Sequence, residues 1–386
     1  MNENELYGLD PISLLKTVNT TEDTKYFNTS HFYKNVDGKF IDATKEVGLE
    51  NPVFGLGLCV SDINSDGYLD IYISSDYYLP DAIYLNDQNG SFINSVKDLT
   101  QQVSFYGMGL DIADINNDQL QDIFVLDMAS NDNFRAKTLM ASMSTDKFNY
   151  LTKTAGFQYQ YMFNSLQLNL GNNHYSNISQ LTSMASSDWS WSVLLSDYNN
   201  DGLKDVFITN GYRKYALDND FQNKVYKTKI KYKGNIPNNI KQQLYDEMPS
   251  ESLSNLMYKN EGNLNFKEVG SNWGLDDLTF SNGAAQGDFD NDGDLDLIIN
   301  NIDQEAILYK NKTVENNLGN FLKVTAQGNT SESFAKITIS HDNKTQYEEI
   351  KRVRGYMSSQ ANSAHFGVGN STLINTVKIE WPSGKV

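Results

Sequence analysis

Short apolar runs recur along this chain, and each follows a polar stretch of nearly fixed composition. The runs are Ile71-Tyr72-Ile73, Ile123-Phe124-Val125, Val206-Phe207-Ile208 and Leu297-Ile298-Ile299. Short β-branched and aromatic runs bounded by turn residues predict buried strands. The polar stretches align without gaps as nonapeptides beginning at Asp62, Asp114, Asp197 and Asp288. Positions 1, 5 and 9 are Asp in all four, and position 3 is Asn or Asp.

A second element recurs five times, a pair of residues ending in Asn at Asn35, Asn86, Asn169, Asn260 and Asn311. The first copy continues Val-Asp-Gly-Lys-Phe40, which predicts a hairpin. From each Asn to the next acidic motif the distance is 27, 28, 28 and 28 residues. From motif to Asn it is 24, 55, 63 and 23, so the unit is about 52 residues. The second and third units carry insertions, about 129–161 and 212–255, with helix-like stretches at Arg135–Met143 and Ile240–Met248. Small residues lead into each motif: Gly57, Gly109, Ser192 and Gly283 stand five positions before it. Glycine in a strand signals close backbone approach, as inner strands converging on an axis would require. A four-stranded unit of this length, repeated radially, predicts an all-β propeller with helical insertions, against a less regular β-sandwich. Four to five blades are visible. The expected division is an N-terminal segment 1–29, repeats over 30–315, and a small β domain over 319–386.

The motifs predict metal sites. Calcium takes six to eight hard oxygens, which alternate side chains of a tight turn can supply. Asp62, Asn64, Asp66 and Asp70 would offer side-chain oxygens and Tyr68 its carbonyl. The second set is Asp114, Asn116, Asp118, Leu120 and Asp122; the third is Asp197, Asn199, Asp201, Leu203 and Asp205. The fourth, Asp288, Asp290, Asp292, Asp294 and Asp296, is the richest in carboxylates. Asx-turns alone also favour Asn and Asp in such loops. Carboxylates crowded without a cation would repel or protonate, however, which favours three to four calcium ions. Gly at position 6 permits a left-handed turn. Gln119 replaces it in the second loop, which is expected to be the weakest site. Apolar position 2, at Ile63, Ile115, Tyr198 and Phe289, is expected to anchor each loop in the core.

Composition narrows the function. Asp and Glu total 49 against 31 Lys and Arg, a net charge of −18. That balance excludes nucleic acid and anionic membranes as natural partners and suits cations. No stretch approaches the length of a membrane span. The one cysteine, Cys59, excludes an internal disulfide and reads as a buried small hydrophobe. His31, His174, His341 and His365 have no metal spacing. Trp189 and Trp191 read as inner-strand core residues, or alternatively as a sugar-stacking platform. The acid pairs Asp218/Asp220 and Glu348/Glu349 are the only loose candidates for catalysis.

These loops, with their small-residue lead-in and hairpins, resemble the FG-GAP/VCBS repeats of integrin-α-like propellers over roughly residues 30–311. The resemblance implies calcium at positions 1, 3, 5, 7 and 9 of each loop, and a seven-bladed ring in the relatives. The tail, with Arg354-Gly355-Tyr356 to Gln360, His365-Phe366-Gly367 and Trp381-Pro382-Ser383-Gly384, looks like the ASPIC/UnbV module of cartilage-acidic-protein-like chains. It departs from that module over Asn329–Lys336. The residues after Met1 lack the pattern of a signal peptide, and Val386 falls where the module would continue, so a piece of a longer chain is expected. The first hairpin is then the remnant of a preceding blade, or else the pair that closes the ring. The function read from all this is extracellular or cell-surface recognition of a protein or glycan, including a bacterial outer-membrane-associated setting. The alternatives are a propeller enzyme acting on polysaccharide and a structural spacer.

Overall fold

The computed structural model describes residues 29–139, 144–325 and 334–386. The expected N-terminal segment up to residue 28, the end of the helix-like stretch Arg135–Met143, and most of Asn329–Lys336 lie outside these. The hairpin β1 (Tyr33–Val36) and β2 (Lys39–Asp42) comes first. Blade one follows as β3 (Gly55–Ser61), β4 (Asp70–Ser75), β5 (Ala82–Asn86) and β6 (Phe92–Asn94), an antiparallel meander. β7 (Gln102–Ser104) leads into blade two, formed by β8 (Leu110–Ala113), β9 (Asp122–Val125), β11 (Ser165–Asn169) and β12 (Tyr175–Asn177). β10 (Tyr159–Tyr161), in the first insertion, pairs in parallel with β7. Blade three is β13 (Ser190–Ser196), β14 (Asp205–Asn210), β15 (Leu256–Asn260) and β16 (Phe266–Glu268). Among the described residues blade four has three strands: β17 (Ser281–Gly287), β18 (Asp296–Asn301) and β19 (Ile307–Tyr309).

The first strands of the blades, β3, β8, β13 and β17, are neighbours in that order. The small residues are where they are because of this. A Cβ on Gly57 would lie 2.7 Å from both Leu110 Cδ2 and the Met108 carbonyl oxygen of the next blade. One on Gly109 would collide with the Trp191 carbonyl of blade three. Position 2 of each of the first three acidic loops packs into the following blade. Ile63 lies among Leu110, Ile112 and Tyr175, Ile115 among Val193, Val206 and Tyr258, and Tyr198 among Met257, Ala284 and Leu297. Their exposures are 0, 2 and 3%, but Phe289 is 49% exposed. The anchoring expected of Phe289 is not found, because no described blade follows blade four to receive it.

The ring does not close among the described residues. The β1–β2 hairpin forms its own two-stranded sheet and does not pair with blade four. The connection after it instead covers blade one, with Val47, Leu49 and Val53 packed on Ile73, Ala82 and Tyr84. The insertions hold short helices, Asn133–Thr138, Thr145–Asn149, Asn219–Lys231 and Asn238–Asp246. Arg135 joins the two insertions: its Nε donates to Asp188 (2.7 Å), its Nη2 to the Tyr215 hydroxyl (2.7 Å), and its Nη1 pairs with Glu251.

The C-terminal unit contains β20 (Asn320–Thr325) paired with β23 (Ser363–Gly369), and β21 (Lys336–His341) between β22 (Lys344–Glu349) and β24 (Thr376–Glu380). Ile337, Ile339, Ile350, Phe366 and Val368 form its core. It sits on the acidic loops, and the segment after β22 runs along the inner strands. The Arg354 guanidinium meets the buried Asp111 carboxylate of β8 at 2.7–3.1 Å. Gly355 N donates to Leu110 O (2.9 Å), and Tyr356 N to Ser192 Oγ (3.1 Å). Gly355 has a φ of +72°, and a Cβ there would strike Ser192 Oγ, so glycine is required on both counts.

Candidate metal-binding loops

Each loop is a tight turn held by its own carboxylates. Position 1 accepts two backbone amides in the first three loops: Asp62 takes Asp66 N (3.0 Å) and Gly67 N (2.8 Å), Asp114 takes Asp118 N and Gln119 N, and Asp197 takes Asp201 N and Gly202 N. In the fourth, Asp288 accepts Gly293 N. Position 3 accepts the amide of position 5 throughout, at Asn64, Asn116, Asn199 and Asp290. Position 5 accepts the amide of position 7, so Asp66, Asp118, Asp201 and Asp292 hold Tyr68, Leu120, Leu203 and Asp294. Position 6 is left-handed in every loop, and Gln119 takes φ +69° where the others have glycine. Position 4 is left-handed too, at Ser65, Asn117, Asn200 and Asn291, a second turn requirement that sequence reasoning missed.

Position 9 works differently. Asp70, Asp122, Asp205 and Asp296 each accept the amide of their own position 2 on one oxygen. On the other they accept the backbone amide of the hairpin Asn86, Asn169, Asn260 or Asn311, at 2.8–2.9 Å. This link explains the recurrent Asn. Its side-chain amide then donates to the position-8 carbonyl of its own loop. In the later blades it also reaches the position-2 carbonyl of the preceding loop: Asn169 to Ile63, Asn260 to Ile115 and Asn311 to Tyr198. The spacing signal was visible in the sequence; the cross-blade bond was not.

The electrostatics are those of anions waiting for a counter-charge. Burial, reinforced by neighbouring carboxylates, pushes Asp70 up to about 7 and Asp122 up to about 8. Asp197 rises to about 7 for the same reasons. Lysines approach three loops: Lys336 pairs with Asp62, Lys259 lies 3.5 Å from Asp201, and Lys323 lies 3.0 Å from Asp288. Lys310 pairs with Asp290 and lies 3.5 Å from Asp292. Among the described residues, only the fourth loop brings three carboxylates within 4.8 Å of one another, Asp288, Asp290 and Asp292. The first three loops converge positions 1, 3 and 5 around shared amides, with position 9 engaged by the backbone. The donor set is all oxygen, partly buried and short of positive charge, and it fits a hard divalent cation.

The C-terminal unit meets these loops closely. Gly369 N donates to Asn200 O (2.8 Å), and the His365 ring bonds Asn200 Oδ1 at 2.7 Å. Lys204 Nζ reaches Tyr347 O and Glu348 Oε2, each at 3.1 Å. Ser61 donates to the Glu349 carboxylate, and Lys351 lies 3.6 Å from it. Glu348 and Glu349 are thus held in a buried charge network, and Asp218 caps the helix Asn219–Lys231 by accepting Phe221 N. His31, His174, His341 and His365 are not gathered into one site. Cys59 is fully buried, and burial pushes its thiol up to about 12. Trp189 is a core residue stacked on Tyr212, ring centres 3.8 Å apart. Trp191 is half-buried and lines a groove of about 820 Å³ with Tyr212, Lys214, Tyr245, Ile298 and Tyr356.

Residues 62–125, from the first acidic loop to the end of β9, match the family model described as FG-GAP-like repeat. Residues 325–386 match the one described as ASPIC and UnbV. The chain is a β-rich repeat protein carrying an FG-GAP-like repeat and, after it, an ASPIC/UnbV unit. No curated protein matches the chain. No described helix is long and apolar enough to cross a membrane.

Proposed function

We propose that this chain is a calcium-binding recognition module of the cell surface or extracellular space, which acts by binding a protein or glycan. Calcium is held by the acidic loops, one ion per loop at positions 1, 3, 5, 7 and 9, and stiffens the face on which the C-terminal unit rests. The observation that carries the recognition reading is the groove beside blade four. It is concave and lined by Trp191, Tyr212, Tyr245 and Tyr356, with Lys214 Nζ 5.6 Å from the Tyr245 ring centre. Aromatic faces flanked by a few cationic and polar groups suit the apolar faces and hydroxyls of sugars and the side chains of a protein loop. That lining holds no carboxylate and no histidine.

The test is an array of glycans and extracellular proteins probed with the whole chain in millimolar calcium. Selective binding, weakened at least tenfold by Tyr245→Ala, is the expected result. Tyr245 is 44% exposed, so its removal spares the fold. Turnover of a polysaccharide, or binding indifferent to Tyr245→Ala, would overturn the reading.

A further inference from the structure

The fourth loop carries more negative charge than its own turn uses. Five aspartates lie within it, and Glu315, four residues after the hairpin Asn311, joins them. Asp292, Asp294 and Glu315 bring carboxylate oxygens within 4.8 Å of one another, as do Asp288, Asp290 and Asp292, so Asp292 belongs to both groups. The nearby cations are Lys310, 2.7 Å from Glu315, and Lys323 on Asp288. Six carboxylates against two ammonium groups leave four negative charges uncompensated, the charge of two divalent ions. In the first loop three carboxylates face Lys336 alone, which leaves the charge of one.

Asp294 supplies the second, independent sign. Its side chain is fully buried. Oδ2 accepts Val314 N at 2.9 Å, whereas Oδ1 is buried with no hydrogen-bond partner. A carboxylate oxygen removed from water with no donor is costly, and in native proteins such an atom calls for an ion or another specific partner. At position 7 the other loops have Tyr68, Leu120 and Leu203, so this carboxylate has no counterpart there.

We propose that Asp292, Asp294 and Glu315 form a second divalent-cation site, next to the Asp288/Asp290/Asp292 group and sharing Asp292 with it. An all-carboxylate site of this kind takes a hard ion, calcium above all. Because Glu315 lies between blade four and β20, the ion ties the last acidic loop to the segment that leads into the C-terminal unit. The proposal draws only its choice of ion from the calcium reading of the loops.

The experiment is calcium titration of the metal-stripped full chain by calorimetry, with bound ions counted by native mass spectrometry. Glu315→Gln, at an exposed position, is expected to bind one ion fewer than the unaltered chain, and Asp292→Asn two fewer. The proposal is overturned if Glu315→Gln binds as many ions with the same affinities, a result that leaves the other loops standing. If the unaltered chain binds no calcium, both readings fall together.

Discussion

The side-chain amide of Asn260 donates to the Ile115 carbonyl, 145 residues earlier in the chain, at 2.9 Å. The same amide bonds Lys204 O at 3.0 Å, so one residue fastens blade three to the loop of blade two. Both carbonyls are buried there, and a buried polar group left unpaired costs about 1–3 kcal/mol. Asn260→Ala is expected to lower unfolding free energy by roughly 2 kcal/mol or more, read from urea denaturation. The side-chain amide of Asn86 donates within its own blade, to Leu69 O, and to no preceding loop, so Asn86→Ala is expected to cost clearly less. Equal losses would mean that the cross-blade bond contributes nothing.

The Arg354–Asp111 pair holds the C-terminal unit to the inner strands. Both side chains are almost wholly buried, and Arg354 also donates to Leu195 O at 2.6 Å. Removing Arg354 leaves Asp111 with backbone donors alone, and removing Asp111 leaves Arg354 only Glu348 as a counter-charge, 3.6 Å away; breaking such a buried pair costs about 3–5 kcal/mol. Arg354→Met and Asp111→Leu are each expected to be strongly destabilising. The double variant is expected to lose much less than the two losses added. Simple additivity in a thermal double-mutant cycle would contradict the pairing.

Asp81 gives a pH dependence outside the loops. It is buried, accepting from the Tyr72 hydroxyl (2.7 Å) and Ser75 N (2.7 Å), and burial pushes it up to about 7. Its folded-state value lies above that of the unfolded chain, near 4, so between these values the folded state binds the extra proton. The protonated carboxyl therefore favours the fold below about pH 4, and that contribution is lost as pH rises to about 7. In chelator, stability is expected to fall over this window by up to about 1.4 kcal/mol per pH unit from this one group. Asp81→Asn, which keeps an acceptor and does not titrate, is expected to flatten the slope. An unchanged slope in denaturation at pH 5, 6 and 7 would remove Asp81 from the account.

Much of the architecture was legible because the repeat is periodic at two levels. The alternation of Asp within each loop gave the turns, and the constant spacing from Asn to Asp gave the blades. The small residue at each lead-in reported a close approach that Gly57 and Gly109 meet in the next blade. What stayed hidden depends on contacts between distant segments. Nothing near Asp111 announces that Arg354 will neutralise it, and the role of Gly355 follows from Ser192, which is 163 residues away in sequence. The hairpin asparagines were counted but not understood, since the partners of Asn86, Asn169, Asn260 and Asn311 lie far along the chain, in their own loop for all four and in the preceding loop too for Asn169, Asn260 and Asn311. Phe289 shares its motif position with Ile63, yet burial there depends on a following blade, which a local pattern does not encode. The helix Asn219–Lys231 was missed for a related reason: only Phe221 is buried in it, so it lacks an apolar stripe.

The central claim is that the acidic loops are cation sites of the folded chain. Fourteen Asp side chains stand in these four nonapeptides, several of them buried near one another. A cation that binds only the folded state adds RT ln(1 + [L]/Kd), about 1.4 kcal/mol for each site filled at ten times its Kd. The most direct measurement is the melting temperature of the whole chain by calorimetry, in excess chelator and again in millimolar calcium. A rise of several degrees with calcium, repeated on re-addition after chelation, is the result this account predicts. Coincident melting curves in chelator and calcium would contradict it.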